Sequence, residues 1–136
     1  MTDYTLPRTG DSPLTFRGDL IAEADSQARQ GPAETRWYEL AVYRTAGGSY
    51  VVAVGFRSRW QGEQGRNTAR VFATPAEVRA YLRDYDPCDP DCWTGIPPGV
   101  HDADRRNAMT RSAVAGAFRG AVSRVLAGTE FAEVVA

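Results

Sequence analysis

A pair of long alternating segments joined by a short loop is the feature that most constrains the fold of this chain. Residues 36–44 and 49–60 alternate apolar and polar side chains with a period of two, which is typical of half-buried β-strands. The residues between them, Thr45-Ala46-Gly47-Gly48, are the small and flexible types that a hairpin turn needs. The sequence therefore predicts a β-hairpin with one dry face and one face on which aromatic and charged side chains mix.

The length of the hairpin loop determines which residues face each other. A two-residue turn at Gly47-Gly48 would place Tyr43 opposite Val52 and would mix core and surface residues on both faces. A one-residue slip exchanges the two faces, so burial favours a three-residue loop at 46–48. That register aligns the apolar positions of both strands, Tyr38, Leu40 and Val42 with Val52, Val54 and Phe56. Such a loop needs a left-handed residue near its end, which predicts a positive φ at Gly48.

Two further segments complete the predicted sheet, and a tail precedes it. Residues 14–24 alternate like the hairpin strands, and the short run 68–73 predicts a fourth strand. Residues 1–13 are polar and contain Pro and Gly, so we expect a flexible N-terminal tail there. Residues 14–136 are enough to bury one core, which predicts a single domain after the tail.

Two helices are predicted after the strands. Thr74, Pro75 and Glu77 together form a helix start, with an N-cap, a proline at the first helical position and a glutamate three residues after the cap. That helix ends near Asp86-Pro87, where a long Pro- and Asp-rich loop over 86–103 begins. The predicted fold class is α+β, an antiparallel four-stranded β-meander with two helices packed on one face.

The second predicted helix, over about 104–127, has an apolar side and a stripe of small residues. The apolar side contains Val114, Phe118, Val122, Val125 and Leu126. The stripe contains Ala113, Gly116, Ala117, Gly120 and Ala121. Glycines destabilise helices, so Gly116 and Gly120 predict the close approach of another backbone, such as a homodimer contact, unless this is an ordinary alanine-rich helix lying on a sheet. Gly128 follows where a left-handed C-cap is expected.

The alternation assigns each strand residue to one of two faces. The face under the helices is predicted to contain Leu14, Phe16, Leu20, Tyr38, Leu40, Val42, Tyr50, Val52, Val54, Phe56 and Trp60. The opposite face is predicted to contain Arg17, Asp19, Ile21, Glu23, Trp37, Glu39, Ala41, Tyr43, Val51, Ala53, Gly55, Arg57 and Arg59, joined by Arg70 from the fourth strand.

Composition excludes several classes of function. The formal net charge is −1, so the chain as a whole does not attract nucleic acid or an acidic membrane. All 16 basic residues are Arg, which excludes Schiff-base chemistry and a phosphate-binding loop of the G-x-x-x-x-G-K type. The single histidine, His101, excludes a two-His metalloprotease helix. The absence of Lys is typical of codon bias in a GC-rich bacterium, and no apolar run or signal pattern is present, so we expect a cytoplasmic protein.

The predicted open face of the sheet is the first candidate site. Trp37 and Tyr43 are predicted there with four arginines, Arg17, Arg57, Arg59 and Arg70. Aromatic and arginine side chains together are typical of protein–protein hot spots, and they also stack on bases and hold phosphates. The alternative is a solvated face whose arginines pair with Asp19, Glu23 and Glu39 at little energetic gain. The acidic residues disfavour nucleic acid more than they disfavour a protein partner.

The loop between the helices is the second candidate site. Cys88, Cys92 and His101 supply two thiolates and an imidazole for Zn²⁺, with Asp89, Asp91 or Asp102 as a fourth ligand. The spacing matches none of the common paired-cysteine zinc signatures, so a disulfide and two free thiols stay open as alternatives. We expect no cofactor, with zinc as the alternative.

The leading hypothesis is a non-enzymatic binding protein that recognises another protein through the exposed aromatic and arginine face. The alternatives are a nucleic-acid-binding module on that face, and a metal protein or enzyme centred on the loop from Cys88 to His101. We expect no membrane partner, and the small size fits a bacterial accessory protein of a mobile element.

Overall fold

The computed structural model describes residues 1–27, 35–60, 62–87 and 95–135. One antiparallel sheet contains five strands in the order of the sequence: β1 (Thr2–Arg8), β2 (Asp11–Asp25), β3 (Arg36–Thr45), β4 (Tyr50–Ser58) and β5 (Arg66–Phe72). Two helices and a short 3-10 turn follow: α1 (Pro75–Asp84), α2 (Ala103–Leu126) and Thr129–Phe131. The predicted α+β class is confirmed, but the prediction of four strands is wrong because β1 adds a fifth.

The first strand lies in the segment where we expected a flexible tail. Tyr4 and Leu6 alternate with polar neighbours and pair with Phe16 and Leu14 of β2. Pro7 lies in this edge strand, at an irregularity between Leu6 and Arg8 where a missing N–H is tolerated. The residues that suggested a tail therefore belong to an edge strand and its turn.

The hairpin of β3 and β4 has the predicted register. Tyr38 pairs with Phe56, Leu40 with Val54 and Val42 with Val52. Residues 46–48 form the loop, closed by a 2.8 Å hydrogen bond from the Thr45 N–H to the Ser49 carbonyl. Gly48 has a φ of 88°, so the predicted left-handed glycine is also confirmed.

A bulge in β2 exchanges the faces of that strand. Leu20 pairs with Tyr43, whereas Ala22 pairs with Val42, so one extra residue is inserted between Leu20 and Ala22. Side chains before the bulge consequently lie on the face opposite to the one that uninterrupted alternation predicts. The assignment of Leu14, Phe16 and Leu20 to the helix-covered face was wrong for this reason.

The sheet has a hydrophobic cluster on each face. The main core lies between the sheet and the helices and contains Tyr38, Leu40, Val42, Val52, Val54, Phe56, Val78, Leu82, Val114, Phe118, Ala121, Val122, Val125 and Phe131. The second cluster draws on all five strands and contains Tyr43, Val51 and Ala69, packed by Tyr4, Leu6, Leu14, Phe16, Ala41 and Ala53. The sheet therefore curls around the second cluster, and we call this side the concave face.

The two edges of the curled sheet meet at one corner. The Thr9 N–H donates to the Asn67 carbonyl at 2.9 Å, and the Asn67 N–H donates to the Thr9 hydroxyl at 2.9 Å. These bonds join the turn after β1 to the start of β5. The corner holds β1 over the concave face, which becomes a partly enclosed surface instead of an open one.

Both helices start and pack much as the sequence predicts. The Thr74 hydroxyl accepts from the Glu77 N–H at 3.2 Å, and the Glu77 carboxylate accepts from the Ala73 N–H at 2.8 Å. The predicted apolar side of α2 is buried at Val114, Phe118, Val122 and Val125. Gly128 has a φ of −68°, so the expected left-handed C-cap is wrong; the chain instead enters the 3-10 turn that buries Phe131. Within the described residues, no helix has the length and apolarity that a membrane crossing requires.

Candidate binding site on the concave face

Three of the six residues predicted for the open face are brought together at one end of the concave face. Trp37 and Arg57 are cross-strand partners in β3 and β4. The Arg59 guanidinium carbon lies 5.1 Å from the centroid of the Trp37 ring, in a cation–π arrangement. Glu39 links the set, because its carboxylate lies 3.4 Å from the Arg57 Nε and accepts from the Trp37 indole N–H at 3.5 Å.

Two of the other three predicted residues, Arg17 and Arg70, lie on other surfaces. Arg17 is exposed on β2 and, because it precedes the bulge, points away from the concave face on which its neighbour Phe16 packs. Arg70 pairs with Val52 of the main core and lies on the helix side, 5.7 Å from the Tyr81 ring centroid. Both placements correct the prediction that these arginines share one face. Both follow from the alternation of side chains along a strand once the observed register is known.

Tyr43 has the predicted face but not the predicted exposure. Its ring is only 9 % exposed and lies 4.7 Å from the Tyr4 ring and 5.2 Å from the Phe16 ring, between centroids. These two rings come from β1 and from the part of β2 before the bulge, neither of which was predicted to cover this face. The expectation that Tyr43 stacks on a partner at the surface is therefore wrong. Trp60, which was expected in the core, is 48 % exposed beneath the Arg36 guanidinium.

Arg57 is fixed against the sheet by several hydrogen bonds. Its Nη2 donates to the Asn67 Oδ1 at 2.9 Å and its Nη1 donates to the Phe56 carbonyl at 3.1 Å. A Cβ on Gly55 would come within 2.8 Å of the Arg57 Nη2, so the guanidinium occupies the space that a side chain at Gly55 would take. The glycine thus lets the guanidinium lie flat on the strand, with about a third of the side chain still exposed.

A cavity of about 530 Å³ opens beside Arg57 on the concave face. Its walls come from four strands besides β4: Leu6 and Pro7 of β1, Glu23 and Asp25 of β2, Glu39 and Tyr43 of β3, and Asn67 and Thr68 of β5. Ala41 and Ala53 have small side chains and Gly55 has none, so the floor of the cavity lies close to the sheet. The volume is in the range that small ligands or single side chains occupy in binding sites.

Acidic side chains dominate the charge of this cavity. Glu23 and Asp25 follow each other on one face of β2, and Asp25 lies directly opposite Glu39 of β3. Arg57 is the one cation among the cavity residues that the structure describes. Glu39 is paired with Arg57, whereas Glu23 has no cationic partner among the described residues, so a positive charge that enters the cavity can pair with Glu23.

Tyr43 is a largely buried residue whose hydroxyl has no hydrogen-bond partner in the part of the chain that is described. The residue lines the cavity beside Glu23, and no hydrogen bond to its hydroxyl occurs within the described residues. Burial raises the pKa of Tyr43 above its ordinary value, with smaller contributions from Tyr4 and from the negative charge of Glu23. The hydroxyl is therefore protonated at neutral pH, as in an ordinary tyrosine, and it interacts electrostatically with the Glu23 carboxylate.

A buried ion pair supports the rim of the site. The Arg36 Nη2 lies 2.7 Å from a Glu63 carboxylate oxygen, and the two side chains are 6 % and 3 % exposed. The Ser58 hydroxyl donates to the other Glu63 oxygen at 2.7 Å. This network ties the connection between β4 and β5 to the start of β3, next to Trp37. We did not predict it, because Arg36 was assigned to the start of the hairpin and Glu63, 27 residues later, lies between the predicted strands.

The predicted metal site is only partly covered by the structure. Cys88 and Cys92 lie outside the described residues. His101 is exposed in the turn before α2. The described ranges contain no group of three His, Cys, Asp or Glu side chains arranged to hold a metal ion. The zinc, disulfide and free-thiol alternatives at Cys88 and Cys92 stay predictions.

Comparison with known proteins adds no assignment to this site. No protein-family model matches the chain, and no curated protein or solved structure with significant similarity to it was found. Function therefore has to be argued from the residues of the concave face.

Proposed function

We propose that this chain is a non-enzymatic binding protein that recognises another protein through the open end of the concave face. The observation that carries the proposal is the Arg57 guanidinium, which Asn67, Phe56 and Glu39 hold in place beside an open cavity. A side chain that is ordered before a partner arrives loses less conformational entropy on binding than a mobile one. The Trp37 ring under Arg59 adds an aromatic anchor at the rim, as interface hot spots do.

The charge of the cavity favours a protein over a nucleic acid. A nucleic-acid site needs several cations that follow a phosphate backbone. Here Arg17 and Arg70 are on other surfaces, and Arg57 lies against Glu39 among further carboxylates. A negative cavity repels phosphate, so the nucleic-acid alternative loses the arginine cluster that motivated it.

The described residues of the cavity also favour binding over catalysis. Its carboxylates are on the exposed side of the sheet, and Tyr43 has a pKa shifted away from neutral pH instead of toward it. A general acid or base works best with a pKa near the operating pH. The described part of the cavity contains no histidine, cysteine or serine to act as a nucleophile.

Paired double variants test the proposal. The full chain is immobilised and exposed to an extract of its native host, in parallel with Trp37→Ala/Arg57→Ala and with Arg17→Ala/Arg70→Ala as a control on other surfaces. We expect a specific protein to be captured by the wild type and the control but not by the first variant. All three should unfold within about 1 kcal/mol of each other, because surface contacts contribute little to stability. A partner that the first variant still captures, or one lost only from the control, would contradict the proposed site.

A further inference from the structure

We propose that the cavity beside Arg57 binds a cationic group, an alkylguanidinium or alkylammonium, between the Tyr43 hydroxyl and the Glu23 carboxylate. This inference rests on the proposed function and names the chemistry of the partner: an Arg or Lys side chain that enters the cavity. Three observations lead to it: the Tyr43 hydroxyl and the Glu23 carboxylate, both without a partner among the described residues, and a cavity of suitable size.

The Tyr43 hydroxyl is the polar group that most needs a ligand. More than nine-tenths of the residue is buried, and no group in the described part of the chain hydrogen-bonds to the hydroxyl. The hydroxyl belongs to a residue that is 9 % exposed, and a ligand that supplies an N–H donor gives it the hydrogen bond that the described residues do not. The raised pKa keeps the hydroxyl neutral, so its lone pairs accept from a cation.

The sign of the ligand follows from the carboxylates around that hydroxyl. Glu23 makes neither a hydrogen bond nor an ion pair within the described residues, whereas Glu39 is shared by Arg57 and Trp37. Arg57 already pairs with Glu39, so no described residue of the cavity compensates the charge of Glu23. A cation that enters pairs with Glu23, whereas an anion finds only Arg57, whose guanidinium is already held by Asn67 and Glu39.

The shape of the cavity admits one long side chain. Ala41 and Ala53 keep part of the floor clear, and Leu6 and Pro7 supply apolar contacts for an aliphatic stem. Lys and Arg place an apolar stem along such surfaces and keep the charged end with polar groups. A volume of about 530 Å³ holds such a side chain with space for water at its charged end.

The test measures binding of a defined cation to the isotopically labelled full chain by NMR. The probe is a blocked pentapeptide with a central arginine between glycines, and the matched control peptide has citrulline, which is uncharged, in its place. Agmatine is the second probe and represents a free small cation. We expect saturable shifts of the Tyr43 ring and Glu23 side-chain signals with the arginine peptide, and binding about tenfold weaker with citrulline. Equal affinity for both peptides, or no saturable shift with any cation, would overturn the inference.

Variants separate this site from general surface attraction. Glu23→Gln and Tyr43→Phe each keep the shape of the side chain, and we expect each to weaken the arginine peptide about tenfold. Asp3→Asn removes an acid on the outer side of β1 and should leave affinity unchanged. If Asp3→Asn weakens binding as much as Glu23→Gln does, the cation is responding to net charge and the assignment fails.

The outcome also distinguishes a free amine from a protein side chain as the source of the cation. It further distinguishes failure of the cation site from failure of the proposed function. Agmatine binding that matches the peptide assigns a free amine ligand, whereas preference for the peptide assigns a protein partner. A partner captured through Trp37 and Arg57 without any cation binding would leave the proposed function in place and remove the inference. Cation binding without a captured protein would do the reverse.

Discussion

At the level of single residues, two arginines of the same hairpin contribute differently to stability because one ion pair is buried and the other is exposed. Arg36 is buried with Glu63, whereas Arg57 stays a third exposed beside Glu39. Desolvation makes a buried charge dependent on its partner, but an exposed pair contributes little. The first arginine therefore supports the fold, and the second is free to serve a ligand.

Substituting the two glutamates measures this difference. Glu63→Ala removes a carboxylate from a buried guanidinium, so we expect the free energy of unfolding to fall by about 3 kcal/mol. Glu39→Ala removes a carboxylate whose side chain is 51 % exposed, and its expected cost is at most about 1 kcal/mol. Urea unfolding followed by tryptophan fluorescence compares the two proteins. Equal losses in both variants would show that burial does not distinguish the pairs.

Tyr43 should make stability fall in alkaline solution. Its folded pKa is raised, so near pH 10 the unfolded chain releases the proton that the folded chain retains. The unfolded state is therefore favoured as pH rises from about 10 through the folded pKa, and the contribution is fully present below about pH 9.

The measurement is the difference in unfolding free energy between the wild type and Tyr43→Phe from pH 8 to 11. We expect a constant difference up to about pH 9 and a relative loss by the wild type above about pH 10. Ionisation of the tyrosines that do not interact with Tyr43 cancels in this comparison. A difference that stays flat across the whole range would mean that burial does not shift the Tyr43 hydroxyl.

For whole strands and helices, periodicity predicted which side chains share a face, but it did not predict where an inserted residue exchanges the two faces of a strand. The β3–β4 hairpin register, the Thr74 cap and the buried side of α2 follow from local patterns, and the structure confirms them. The bulge between Leu20 and Ala22 does not, because one inserted residue changes the composition of a strand hardly at all. Its effect reaches every residue before it, including Phe16 and Arg17.

Two glycines in different elements should respond in opposite directions to alanine. A Cβ on Gly18 would overlap the Arg44 carbonyl oxygen of the neighbouring strand, and backbone atoms cannot move aside without separating β2 from β3. We expect Gly18→Ala to destabilise the protein by about 2 kcal/mol. At Gly116 of α2 a Cβ would meet no atom of another described element within 4 Å, so Gly116→Ala should stabilise by about 0.5–1 kcal/mol. Thermal unfolding checks both signs.

The same Gly116 variant tests the predicted homodimer. If the stripe around Gly116 and Gly120 joins two copies, the added methyl group should weaken self-association. Sedimentation of the wild type and of Gly116→Ala over a range of concentrations measures this. A wild type that stays monomeric throughout, or a dimer that Gly116→Ala leaves intact, would count against the stripe as an interface.

At the scale of the whole molecule, the sheet has two cores of unequal size. Val42 and Val52 belong to the main core between the sheet and the two helices. In contrast, β1 is held by the smaller cluster of the concave face and by the corner at Thr9 and Asn67. Stability is distributed in proportion to such burial, so the parts of the sheet should open separately. The cavity beside Arg57 lies between the more and the less strongly held parts.

Hydrogen exchange should reveal that difference. We expect the β1 amides to exchange through an opening that costs less free energy than the opening of β3 and β4, by about 1.4 kcal/mol or more, which is a factor of ten in rate. Amide exchange at a series of low urea concentrations measures each opening. Identical opening free energies for β1 and β3 would mean that the sheet is one cooperative unit.

Local patterns along the chain are enough to predict the alternating hairpin with its left-handed Gly48, the capped start of α1 and the apolar side of α2. The folded arrangement is needed to see that β1 covers the concave face, that Tyr43 is buried there, and that Arg57 lies beside an acidic cavity. Local patterns depend on neighbours along the chain, where spacing of side chains fixes their direction. The site depends on five strands that meet after the sheet curls, and a single inserted residue in β2 selects which side chains meet.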